Sequence, residues 1–106
     1  MRSVLIFLAG LLGAGAAPAQ TFTRAVTLVV GYAPGGSNDI NARELAQLMS
    51  PIVGQQVIVD NRPGAGTLIG LTHGARAPAD GYTVTFGTSS GLAIYPALGA
   101  KMPIDP

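Results

Sequence analysis

Three short apolar runs, each followed by a glycine-containing turn and a helix-forming stretch, dominate the pattern of this chain. The apolar runs are rich in β-branched residues, as buried strands are, and lie at residues 28–30, 57–59 and 82–86. The helix-forming stretches after them lie at residues 38–49, 67–76 and 92–98. Three strand, turn and helix units in succession predict an α/β fold with a parallel sheet of about three strands flanked by helices.

The turns after parallel strands lie along one edge of the sheet, and ligands bind at that edge in such folds. In the first unit, Gly35 and Gly36 stand between the strand and a helix that begins near Asn38. A helix N-terminus directs free backbone N–H groups and the positive end of the helix dipole at one point. We therefore predict an anion site at this turn, formed by Pro34, Gly35, Gly36, Ser37, Asn38 and Asp39.

Three hydroxyl residues, Thr88, Ser89 and Ser90, follow the third apolar run and should lie on the same edge. Their hydroxyls could donate hydrogen bonds to a carboxylate without adding charge. Helix capping is the alternative role for these residues and for the polar residues of the first turn. For Asp39 we favour the second role, in which it accepts local amides and fixes the turn, because a carboxylate would repel an anionic ligand.

Several motifs together resemble one receptor family, the periplasmic solute-binding receptors of tripartite tricarboxylate transporters, also called Bordetella uptake gene (Bug) receptors. The motifs occur in order over nearly all of the chain after residue 20: Pro34-Gly35-Gly36 with Asp39 and Ala42-Arg43, Asn61-Arg62-Pro63-Gly64-Ala65-Gly66, Pro78-Ala79-Asp80-Gly81-Tyr82-Thr83, and Pro96-Ala97-Leu98 with Asp105-Pro106. Three positions differ from the residues usual in the family, namely Pro51, Thr67 and Tyr95.

The resemblance implies a non-enzymatic protein without a cofactor that captures a small carboxylic acid for membrane transporter subunits. Members of the family are longer, two-lobed proteins that close on their ligand. The resemblance therefore implies that residues 20–106 form the N-terminal, incomplete part of one periplasmic-binding-protein lobe. A fragment, a truncated gene product that no longer binds ligand, and a stand-alone mini-domain remain open.

The first 19 residues have the features of a secretory signal peptide. Met1-Arg2 is followed by an uncharged apolar run, and Ala17-Pro18-Ala19 supplies small residues for cleavage before Gln20. The run is short for a bilayer span and contains three glycines, so a retained anchor is the weaker alternative. We expect export to the periplasm and no stable membrane insertion after cleavage.

Charge and cysteine content exclude several kinds of partner. Six basic and five acidic residues are nearly balanced, and loss of Arg2 with the leader would make the mature chain neutral. No basic surface for nucleic acid or anionic lipid is expected. The absence of cysteine excludes disulfides and lipid modification of cysteine, and one histidine with scattered carboxylates predicts no metal site.

An enzyme is the main alternative to a receptor. Residues 87–91 match the G-x-S-x-G pattern of a serine hydrolase and follow a strand. In hydrolases of that fold the histidine follows the serine, whereas His73 precedes it here and belongs to another unit. The sequence therefore favours a receptor over a secreted hydrolase fragment.

Two further expectations concern the helices and their packing. Leu45, Leu48, Met49 and Ile52 have the spacing of one buried stripe, and Pro51 with Gly54 should end the first helix. In the second helix, Gly70 and Gly74 weaken the helix but could let it lie close to the sheet.

Overall fold

The computed structural model describes residues 21–105. In chain order the elements are β1 (Val26–Val30), α1 (Ser37–Val53), β2 (Val57–Asn61), a 3₁₀ turn (Ala65–Thr67), α2 (Leu68–Arg76), β3 (Thr83–Phe86), a π-helical turn (Ser90–Ile94) and α3 (Tyr95–Ala97). The predicted signal peptide, residues 1–19, and its cleavage point before Gln20 lie outside the described residues. Within residues 21–105, no helix has both the length and the hydropathy needed to cross a bilayer.

The three strands form one parallel sheet in the order β2, β1, β3. Val30 at the end of β1 is level with Asn61 on one side and with Phe86 on the other. The α/β fold and its three-stranded parallel sheet are therefore as predicted. Because all three strands end at the same edge, the turns that follow them are brought together there.

The central strand β1 is the most completely buried part of the chain. Val29 and Val30 are 0 % exposed, because a strand lies on each side and helices cover both faces. The outer strands are less buried than β1, although their apolar runs are also typical of buried strands. Ile58 on β2 is 46 % exposed and Val84 on β3 is 38 % exposed, since each outer strand has a partner on only one side.

The buried face of α1 agrees with the predicted stripe only at Met49, which packs against the core. Leu48 and Ile52 are 63 % and 82 % exposed, whereas Ala42 and Ala46 face the sheet and are buried. These alanines join the core formed by β1 and Val57. Small side chains let the helix approach the strands closely, so the predicted stripe was wrong at Leu45, Leu48 and Ile52, which are exposed.

The first helix also continues past the proline that was expected to help end it. Pro51 lies inside α1, and the helix ends at Gly54, whose φ of 73° is left-handed and whose N–H donates to the Ser50 carbonyl at 3.1 Å. Proline lacks the N–H that would bond one turn back, and this loss falls in the last turn, where fraying is already common. The Ser50 hydroxyl donates to the Ala46 carbonyl at 2.8 Å and accepts the Val57 N–H at 3.0 Å. It thereby ties the helix end to β2.

Two glycines bring α2 against the sheet, as the sequence suggested. A Cβ atom on Gly70 would lie 2.7 Å from the Gly31 Cα and 3.0 Å from the Arg62 carbonyl oxygen. A Cβ atom on Gly74 would meet the Thr85 side chain on β3. The atoms nearest to Gly70 are all backbone atoms, so no flexible side chain could move aside for an added methyl group.

Gly70→Ala should therefore destabilise the protein, although alanine is the better helix former by about 1 kcal/mol. We expect a loss of about 1–3 kcal/mol in the free energy of unfolding, because the added methyl group forces α2 away from β1. Urea unfolding measures this change. His73→Ala, on the exposed side of the same helix, is the control and should stay within about 0.5 kcal/mol of the parent. A more stable Gly70→Ala variant would contradict the close packing.

Candidate functional site

The first turn leaves backbone N–H groups free at the start of α1. Gly36 precedes the helix without a side-chain cap, and its carbonyl accepts the first helical hydrogen bond from Ile40 at 3.0 Å. The N–H groups of Ser37, Asn38 and Asp39 precede that bond and have no partner within the helix. Gly35 has a φ of 94°, a conformation that glycine adopts readily, whereas Gly36 has an ordinary φ of −79°.

The side chain of Asp39 turns inward and fixes this turn. The residue is only 3 % exposed, and its Oδ2 accepts the Gly35 N–H at 2.9 Å. The Nε of Arg43, one helical turn later, donates to both carboxylate oxygens at 3.1 and 3.0 Å. The expectation that Asp39 would accept a local amide is thus confirmed. The Gly35 amide is occupied by this bond, so the free N–H groups begin after it.

Asn61, the last residue of β2, joins this network to the neighbouring turn. Its Nδ2 donates to the Asp39 Oδ1 at 2.9 Å and to the Tyr32 carbonyl at 3.0 Å. Its Oδ1 accepts a hydrogen bond from Arg43 Nη2 at 3.0 Å. The ends of β1 and β2 and the start of α1 are therefore held in one arrangement by side chains that are far apart in sequence.

These contacts stabilise the charged form of Asp39. The Gly35 N–H is the largest cause, followed by Arg43 and Asn61, and together they lower the pKa of Asp39 to about 2. Burial acts in the opposite direction and raises the pKa, but it is outweighed. Asp39 is therefore a carboxylate at any physiological pH.

Because the folded pKa of Asp39 lies below the value of 3.8 expected without these contacts, its ionisation stabilises the fold above about pH 4. This contribution should be lost as the pH falls from about 4 towards 2. Asp39→Asn cannot ionise, so its deficit in unfolding free energy relative to the parent should shrink over that range. Urea unfolding at several pH values tests this. Glu44→Gln, on the exposed face of α1, should follow the parent, and a constant deficit in Asp39→Asn would contradict the assignment.

The hydroxyl residues after β3 have three different surroundings. Thr88 Oγ1 lies 2.8 Å from the Tyr32 hydroxyl, which links the turn after β3 to the turn after β1. Ser89 is exposed, and Ser90 faces a small cavity at the edge of the sheet. Tyr32 was not predicted as a site residue, yet its hydroxyl is hydrogen-bonded to the Thr88 hydroxyl in this structure.

That cavity, of about 350 Å³, lies where the three strands end. Its wall contains residues 31–33 after β1, a glycine-rich segment that includes Gly66 and Thr67 after β2, and Ser90 and Tyr95 after β3. The expected edge therefore holds a cavity. Of the nine residues predicted for the site, only Ser90 lines it, and residues 34–39 lie outside its wall.

Most residues of the cavity wall and the hydrogen-bond partners of Asp39 were not predicted from the sequence. Arg43 stands four residues after Asp39, which is the spacing of a helical ion pair, so this partner was detectable. Thr67 and Tyr95 could have been suspected only because they depart from residues usual in the family. The contact of Asn61 with Asp39 depends on strand register, for which the local sequence carries no signal.

A larger groove begins at the turn after β2 and extends along α2. It has a volume of about 810 Å³ and is lined by α2 and the segment 101–103, with His73 and Arg62 in its wall. Arg62 Nε is paired with Asp60 Oδ2 at 2.9 Å. Ser89 does not line this groove, so His73 and the serine of the hydrolase pattern belong to different surroundings.

The parallel sheet, its helices and the cavity at its carboxyl edge define part of a periplasmic-binding-protein lobe. Residues 41–106 match the family model described as the tripartite tricarboxylate transporter family receptor. The chain is 40 % identical over 95 residues to the protein BugT of Bordetella pertussis, which covers 82 % of this chain and 29 % of BugT. The chain belongs to the tripartite tricarboxylate transporter receptor family.

Solved structures agree with this assignment. A periplasmic transporter is 45 % identical with a TM-score of 0.74 and covers 79 % of this chain and 28 % of its own length. The protein Rpa4515 of R. palustris, solved with adipate, is 44 % identical with a TM-score of 0.64 and covers 67 % of this chain and 24 % of its own length. This chain spans 21 to 29 % of the length of six curated relatives that it matches.

Proposed function

We propose that this chain is part of an exported solute-binding receptor in which the start of α1 holds a carboxylate group of a small organic acid. The observation that carries the proposal is the inward position of Asp39. Its carboxylate takes the Gly35 amide, while the N–H groups of Ser37, Asn38 and Asp39 remain before the first helical bond. An anion at that point would be bound by these donors and by the helix dipole.

The charge of Asp39 does not prevent this use. Arg43 contacts both carboxylate oxygens, and Asn61 donates a further hydrogen bond to one of them. The aspartate and arginine together are neutral, so the turn presents polar N–H groups without a net negative charge. Reversible capture suits a receptor, and binding by neutral donors serves it better than a strong ion pair with the ligand.

The relatives support the chemical class of the ligand and the wider role. The family model describes receptors of tripartite tricarboxylate transporters, and one related structure contains adipate, a dicarboxylate. We therefore propose a small carboxylic acid as ligand, membrane transporter subunits as partners and the periplasm as location. A signal peptide over residues 1–19 would provide export. In the longer relatives a second lobe is available to close over the ligand, as the family resemblance implies.

Gly36→Val tests whether the first turn contacts the ligand. Gly36 has an ordinary φ, and a Cβ atom there would meet nothing within 4 Å, so valine should leave the fold intact. The torsion angles favour glycine at Gly35, whose φ is 94°, and not at Gly36. A branched side chain beside the free N–H groups should block the carboxylate and weaken binding at least roughly 100-fold.

The experiment is calorimetric titration of adipate, succinate and citrate into a receptor that carries this segment together with the second lobe of its family. Asp39→Asn is the matched variant, and we expect it to weaken binding only moderately, because asparagine keeps an oxygen that can accept the Gly35 N–H. Circular dichroism confirms that both variants are folded. Normal binding by Gly36→Val would show that the first turn is not part of the site.

A further inference from the structure

Thr67 has two properties that its role in the fold does not explain. It is a β-branched residue with a φ of 77°, in the left-handed region that such residues rarely adopt. It is also only 8 % exposed, and its hydroxyl oxygen is buried without a hydrogen-bond partner within the described part of the chain. A buried hydroxyl without a partner is destabilising, so this side chain has a cost in the free protein.

Helix capping does not account for the hydroxyl. Thr67 immediately precedes α2, where threonine often caps a helix, yet it makes no side-chain cap hydrogen bond. Close packing accounts for the carbon atoms alone, since the Thr67 Cβ would lie only 3.0 Å from a Cβ atom on Gly31. Valine has the same shape and would pack equally well, so the oxygen atom is left without a structural role.

The surroundings of Thr67 point to a ligand. The residue lines the cavity of about 350 Å³ at the carboxyl edge of the sheet, together with Ser90 and Tyr95. Its oxygen lies against Gly91, and a Cβ atom on that glycine would stand only 2.6 Å away. Only a glycine fits there, so the hydroxyl lies between the backbone of Gly91 and a cavity that Thr67 itself lines.

We propose that Thr67 is a specificity-determining residue whose hydroxyl donates a hydrogen bond to a carboxyl oxygen of the ligand in this cavity. This inference rests on the proposed function and adds a second contact, distinct from the start of α1. The free N–H groups of α1 hold one carboxylate, and Thr67 lies after β2 beside the cavity between the strand ends. A ligand with two carboxyl groups would then be bound through one group at the start of α1 and through the other at Thr67. The unsatisfied hydroxyl would gain its partner only when the ligand is bound.

The test compares Thr67→Val and Thr67→Ser in the same two-lobed receptor that carries this segment. Valine removes the oxygen and keeps the shape, whereas serine keeps the oxygen. Binding of adipate, succinate and citrate is followed by ligand-observed NMR, which also detects weak binding, and the free proteins are unfolded in urea. We expect Thr67→Val to weaken binding of the preferred acid roughly 10- to 100-fold, as loss of a hydrogen bond to a charged group does. Thr67→Ser should bind within a few-fold of the parent.

The stability of the free proteins distinguishes this role from a structural one. Thr67→Val removes a buried oxygen that has no partner, so its urea midpoint should equal or exceed that of the parent. A lower midpoint together with unchanged binding would overturn the inference and assign Thr67 to the fold. Equal binding by the parent and Thr67→Val at any midpoint would also overturn it. A folded parent that binds none of the three acids would contradict the proposed function itself, and this inference would fall with it.

Discussion

The carboxylate of Asp39 is the contact on which the arrangement of the site depends. It accepts the amide of Gly35, pairs with Arg43 one helical turn later and reaches Asn61 at the end of β2. These bonds fix the turn after β1, the start of α1 and the end of β2 relative to one another. They also decide which backbone N–H groups are used internally and which remain free. The same bonds lower the pKa of Asp39 to about 2, so the network persists at any physiological pH.

Close backbone packing is the second constraint, and glycine and alanine provide it. Gly70 lies against Gly31 and the Arg62 carbonyl, while Ala42 and Ala46 bring α1 onto the sheet. Small residues at these contacts place both helices near the strand ends. The cavity at the carboxyl edge is walled largely by residues of the turns after the three strands, three of which are glycines.

Much of this fold could be predicted from the sequence, because local signals determine it. The β-branched runs predicted three strands, and the glycine turns predicted that they would be parallel and would share one functional edge. Most of the stripe predicted for α1 was wrong, because both faces of the helix carry apolar residues. The prediction that Pro51 helps to end the helix was also wrong, because a proline near a helix end is tolerated. The roles of Asn61, Tyr32 and Thr67 depend on contacts between strand ends, which local patterns do not encode.

The central claim is that the free N–H groups at the start of α1 bind a carboxylate. Titration of adipate, succinate or citrate into the isotopically labelled receptor, followed by amide NMR, measures this directly. The account predicts that saturating acid produces the largest downfield proton shifts at the amides of Ser37, Asn38 and Asp39, because these amides acquire a charged acceptor. The Gly35 amide, already bonded to Asp39, should shift less. Saturable binding that leaves the amides of residues 37–39 unchanged would contradict the account.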